Sequence, residues 1–72
     1  FDIPEATRVD ISVFNLMGQK IKTLKNEKTT PGYHTVQWDG TNDNGMQVST
    51  GMYFYTLQTD SKSAMRKMLF LK

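Results

Sequence analysis

Gly32-Tyr33-His34-Thr35-Val36-Gln37-Trp38-Asp39-Gly40, answered after a polar interval by Gly51-Met52-Tyr53-Phe54-Tyr55, is the stretch that decides the fold. Tyr33 to Trp38 alternates, with His34, Val36 and Trp38 on one face, and stops at Asp39-Gly40, a tight-turn dipeptide. Asp39 to Thr50 is a long polar loop holding Gly40, Gly45 and Asx residues, with Val48 placed for a brief strand contact. Gly51 then opens a strand over Met52 to Thr59. In it Tyr53, Tyr55 and Leu57 share one face, and Met52, Phe54 and Thr56 share the other. A strand, a turn, a loop and an aromatic strand describe an all-β module.

The flanks extend that reading. Phe1 to Pro4 is a short extended stub. Thr7 to Phe14 places Val9, Ile11 and Val13 on one face and Arg8, Asp10 and Ser12 on the other, as a half-buried strand does. Asn15-Leu16-Met17-Gly18 fits a hairpin loop, and Gln19 to Leu24 is the return strand. Ile21 and Thr23 share a face that Leu24 leaves, so a bulge or strand end is expected at Thr23-Leu24. Asn26 to Pro31 reads as a polar connection ending in the Pro31-Gly32 turn. Asp60 to Ser63 is a hairpin connection, and Ala64 to Lys72 is the last strand. Met68-Leu69-Phe70-Leu71 is apolar on both faces, which predicts a central or covered strand. Short strands separated by turn signals predict an antiparallel β-sandwich of about six or seven strands.

Seventy-two residues make one domain, 1–72. A chain this short buries only roughly 60% of its unfolded surface. It has no cysteine, so neither a disulfide nor a thiolate metal site reinforces it. The net charge is +2. Lys20, Lys22, Lys25 and Lys28 suit a solvent-facing edge strand, where lysine also discourages strand addition. Nucleic-acid binding is not expected, because no dense basic patch is interleaved with aromatics. No apolar run reaches the roughly 20 residues a spanning helix needs. The chain starts at Phe1 rather than methionine, which reads as a piece of something longer.

Catalytic chemistry finds little to work with. His34 is the only histidine and has no second histidine or cysteine, so a structural role is favoured over a base or a ligand. Asp39, Asn42, Asp43 and Asn44 offer oxygens, but their spacing does not fit an EF-hand, and Asx turns are the simpler reading. Asp39 with Asp43, or Asp2 with Glu5, implies no cleft of the kind a glycosidase needs. Trp38, Tyr53, Phe54 and Tyr55 could stack on sugar rings, although core filling is the commoner fate of such residues. No cofactor, metal or catalytic residue is therefore assigned.

Taken in order, several motifs resemble one family across nearly the whole chain. They are Phe1-Asp2-Ile3-Pro4, Val13-Phe14-Asn15-Leu16-Met17-Gly18-Gln19, Gly32 to Gly40, Asn44-Gly45, Gly51 to Leu57 and Lys67 to Lys72. The chain resembles the C-terminal Ig-like sorting domains of type IX secretion cargo, and the related Ig-like domain of flagellar hook-capping proteins. The resemblance implies an Ig-like sandwich that is not an enzyme. It implies a sorting signal at the end of a larger secreted protein, with the cargo domain N-terminal in the same chain. An outer-membrane translocon and a sortase-like peptidase are the implied partners, and the implied destination is outside the cell or on its surface, via the periplasm. The alternatives are a structural assembly module of the hook-capping type and an accessory polysaccharide-binding module.

The family usually carries a first strand ahead of the position of Phe1, so an edge is expected to lie open. Gly18, Gly32, Gly40, Gly45 and Gly51 would serve turns or close approaches. Asp39 would end the strand, and Trp38, Tyr53 and Tyr55 would fill the sandwich with Val9, Ile11 and Val13. Lys67, Met68, Leu69, Phe70, Leu71 and Lys72 are the recognition candidates.

Overall fold

Strand alternation is realised in a computed structural model that describes residues 1–71. Six strands form: β1 (Asp2–Ile3), β2 (Thr7–Phe14), β3 (Lys20–Thr29), β4 (Gly32–Tyr33), β5 (Gly51–Gln58) and β6 (Ser63–Phe70). They make two antiparallel sheets, a four-stranded one in the order β3-β2-β5-β6 and a two-stranded one of β1 and β4. No described segment is helical.

The core is where the two layers meet. Val9, Ile11 and Val13 from β2 are buried with Tyr53 from β5 and Ile3 from β1. Phe1, Leu24, Val36 and Leu57 pack around the Ile3–Val9–Ile11 cluster. The β2–β3 ladder shifts register between Ile11 and Ser12, whose partners are Lys25 and Thr23. Leu24 is therefore the extra residue of a bulge and turns toward the core, as its position on the wrong face required. A second shift between Val13 and Phe14 skips Ile21.

Three strand expectations need correction. The return strand does not end at Leu24 but runs on to Thr29, because Thr7 to Ile11 of β2 offer ladder partners to Lys25–Thr29. As an edge strand it can be polar and still pair. Tyr33 to Trp38 is not one paired strand: β4 is only Gly32–Tyr33. One further antiparallel step joins His34 N–H to the Phe1 carbonyl and the Phe1 amino group to the His34 carbonyl, both at 2.8 Å. Beyond it, residues 34–39 belong to no ladder. Finally, β6 is neither central nor covered. It pairs with β5 alone and forms one edge of the four-stranded sheet.

Candidate functional site

The recognition candidates and the aromatic motif meet at one end of the sandwich. Tyr53 is 5% exposed because Trp38 and Phe70 close over it. The Trp38 ring meets Tyr53 edge-on at 5.3 Å and Phe70 tilted at 5.1 Å, and Phe70 meets Tyr53 edge-on at 6.5 Å. Offset and edge-to-face contacts of this kind suit the ring quadrupoles. Both polar handles are satisfied: Trp38 Nε1 donates to the Thr41 carbonyl and Tyr53 Oη to the Ser49 carbonyl, at 2.8 and 2.7 Å.

Gly40 explains why this turn carries glycine. Its φ is +80°, and a Cβ there would sit 2.7 Å from Phe70 Cε1. The backbone must therefore pass directly beneath the ring, in a left-handed conformation that a side chain would oppose twice over.

The loop after Trp38 is built by its Asx residues. Asp39 Oδ1 accepts from Thr41 N–H at 3.1 Å and Thr41 Oγ1 at 2.6 Å. The Thr41 hydroxyl bond, then the Thr41 amide, hold the Asp39 carboxyl below its usual range. Asn42 Oδ1 accepts from the amides of Asn44 and Met46. Val48 N–H donates to the Gly40 carbonyl at 2.9 Å, and Thr41 bridges Gln47. Asp43 fastens the loop to the free edge of β3, accepting from Thr23 N–H and donating its own amide to the Ile21 carbonyl. Asp39, Asn42 and Asp43 thus each commit one side-chain oxygen to backbone amides. Lys22 Nζ reaches Thr41 Oγ1 at 3.2 Å, a contact that a lysine at an inward-facing position of β3 could have signalled.

Gly18 closes the β2–β3 turn at φ +82°, donating to the Asn15 carbonyl while Asn15 Oδ1 accepts from the amides of Met17 and Gln19. Gly32, Gly45 and Gly51 also have positive φ and lie at the start of β4, in the loop after Trp38 and at the start of β5. His34 is a structural residue: it stacks on Phe1 at 5.5 Å, and its Nε2 donates to the Thr30 carbonyl at 2.8 Å.

One aromatic assignment changes. Trp38 is half-buried and packs on the core residue Tyr53, but Tyr55 is 36% exposed rather than filling the sandwich. The cause lies in the opposing layer. The layer opposite β5 and β6 consists of β1, β4 and the unladdered run that follows, and it does not cover them. A groove of about 520 Å³ remains there, with Val36 and Trp38 on one wall and Tyr55, Met68 and Phe70 on the other. Trp38 packs against Tyr53 and Phe70 instead of standing in a planar row, the arrangement a sugar-stacking site would use.

Of the recognition candidates, Met68, Leu69 and Phe70 line this groove, Met68 and Phe70 half-buried and Leu69 largely exposed, whereas Lys67 and Leu71 are exposed outside it. Lys72 lies outside the described residues. The outer edge of β6 is unpaired among the described residues. No cluster of three or more His, Cys, Asp or Glu side chains forms among them.

Sequence reasoning did not single out the outer face of the sheet. There Phe14 stands opposite Phe54, and Lys20 and Lys67 flank the pair. The signal was present in the pairing of Met52, Phe54 and Thr56 on the face away from Tyr53.

Residues 3–63 match the FlgD Ig-like domain family. Neither a curated protein nor a solved structure matches the chain.

Proposed function

Because the chain belongs to the FlgD Ig-like domain family, we propose that it is a non-catalytic structural module of the flagellar hook-capping type, carried within a larger protein and acting by contact. The family match over most of the chain carries this reading. Its support is the use of polar side chains: Asn15, Asp39, Asn42 and Asp43 all accept backbone amides. Their hydrogen-bonding capacity goes into shaping rigid turns, as suits a module that presents a surface.

A second reading rests on a different observation. The edge of β6 that is unpaired among the described residues, with Leu69 and Leu71 exposed at its end, is a place where an extended segment could add as a further strand. That favours a sorting signal read by an outer-membrane translocon and removed by a sortase-like peptidase, with the parent delivered to the cell surface through the periplasm.

Excising this domain from its full-length parent separates the two. A structural module should leave delivery of the parent unchanged and abolish its assembly, seen as loss of the cap or oligomer by electron microscopy. Retention of the parent in the periplasm would instead overturn the structural reading in favour of sorting.

A further inference from the structure

At the end nearest the β2–β3 turn the four-stranded sheet is apolar on its outer face as well as its inner one, whereas Arg8, Asp10, Asn26, Lys28 and Gln58 occupy the far end of that face. Cross-strand partners in an antiparallel ladder point to the same side, so the ladders give the outer rows directly. One row is Lys20–Phe14–Phe54–Lys67 across all four strands, and Met52 opposite Leu69 lies beside it. Thr56 opposite Met65 follows on the other side. Met65 is 61% exposed and Leu69 59%. Leu16 and Met17 stand at the same end on the rigid β2–β3 turn, also exposed. Contiguous exposed apolar surface with a polar rim marks a contact site rather than ordinary surface.

The rim says what kind of contact. The ion pair among the described residues is Lys25–Glu27, and neither Lys20 nor Lys67 takes part in one. The nearby carboxylates are engaged elsewhere, Asp10 with the Ser12 hydroxyl at 2.8 Å and Asp43 with the Thr23 amide. Lys20 and Lys67 lie on the first and last strands of the sheet, which are about 14 Å apart at ordinary strand spacing. An α-helix with its side chains is roughly 10–12 Å across. A helix seated on Phe14 and Phe54 would bring its two flanks beside the two ammonium groups. A second copy of this face would bring lysine to lysine, which is repulsive.

We propose that this outer face is the docking surface for an amphipathic helix of another protein, apolar along one stripe and carrying Asp or Glu on both sides of it. The apolar rows from Met52 to Thr56 extend over about 14 Å, which about three turns of helix span, so a helix of about 18 residues covers them fully. The site depends on the fold and stands whether the domain serves assembly or sorting.

The test uses the chain with two fluorescently labelled helical peptides of about 18 residues, sharing one Leu/Met stripe and differing only in Glu or Lys flanks. Anisotropy titration should show the Glu-flanked peptide binding at least about tenfold more tightly, and losing that advantage in high salt. The double variant Lys20→Glu, Lys67→Glu, its fold checked by its melting curve, should reverse the preference. Equal affinity for both peptides, or binding of neither, would overturn the proposal. Two other outcomes would overturn it as well. One is binding only to phosphatidylcholine vesicles containing about a quarter phosphatidylglycerol, which would make this a lipid face. The other is a dimer that the charge reversal leaves intact, which would make it a self-contact.

Discussion

β2 and β6 are both eight-residue strands rich in apolar residues, yet one is the core of the molecule and the other is largely surface. β2 lies between β3 and β5, and Val9 and Val13 are wholly enclosed. β6 has a neighbour on one side only, and five consecutive residues from Ser63 to Lys67 are exposed. The apolar pattern says which residues are able to be buried. Position in the sheet decides which of them are, because burial needs both lateral neighbours and an opposing layer.

The test with the largest effect concerns the residue that joins the two regions. Tyr53 is buried on β5, the strand that pairs with both β2 and β6, and Phe70 of β6 packs against its ring. Tyr53→Ala should cost about 3–5 kcal/mol, much of the stability of a domain this small, read from urea unfolding. A loss below about 1 kcal/mol would mean that the β6 side of the sandwich is not closed by this cluster, and the contrast between the strands would be greater than drawn.

Next comes Gly40, which fixes Phe70 from below. Gly40→Ala imposes a left-handed conformation on a residue with a Cβ and pushes that Cβ into the ring. The expected loss is about 2–4 kcal/mol. Combining it with Phe70→Leu should recover part of that loss, since the smaller side chain makes room while the φ strain remains. Simple additivity of the two changes would show that the ring and the turn are not in contact.

The comparison itself is sharpened by matched truncations. Val13→Ala should cost about 1.5–3 kcal/mol, whereas Leu69→Ala in the isolated chain should stay within about 0.5 kcal/mol. Equal losses in chemical unfolding would abolish the distinction. A Leu69→Ala cost that appears only with a helical partner bound would place the missing cover on the outer face.

What the sequence disclosed follows the same division. Val9, Ile11 and Val13 announced β2 because a central strand with one buried face alternates cleanly, and Leu24 announced its bulge by breaking the phase. Lys25 to Thr29 gave no such signal: the segment has no apolar residue to display, its middle residues Asn26 to Lys28 face water, and its pairing is made by backbone groups common to all residues. The alternation of His34, Val36 and Trp38 predicts a strand where the structure has none beyond Tyr33. It could not reveal that no ladder forms there, because pairing depends on a neighbour elsewhere in the chain. The aromatic site was half legible. Trp38, Tyr53 and Gly40 stood out, but the contribution of Phe70 required the β5–β6 register, and the outer Lys20–Phe14–Phe54–Lys67 row required all three ladders.

The smallest effect tests the loop that holds Trp38 in place. Asp39 is an exposed carboxylate whose folded-state pKa is lowered, first by the Thr41 hydroxyl and then by the Thr41 amide. A lowered carboxylate contributes stability that is fully present above its unfolded pKa and is lost as pH falls through its folded one. The chain should therefore lose a little stability on acidification below the ordinary aspartate range, about pH 4. Thr41→Val removes the hydroxyl donor and leaves the amide, so it should flatten part of that acid limb and change neutral-pH stability only slightly. Melting curves of both proteins between about pH 7 and about pH 2.5, a range that brackets the ordinary aspartate pKa of about 3.9, would show it. Parallel curves across the range would mean that Asp39 is held by the turn backbone alone. In that case the loop beneath Trp38 would owe its shape to Gly40 and Asn42 rather than to a charge.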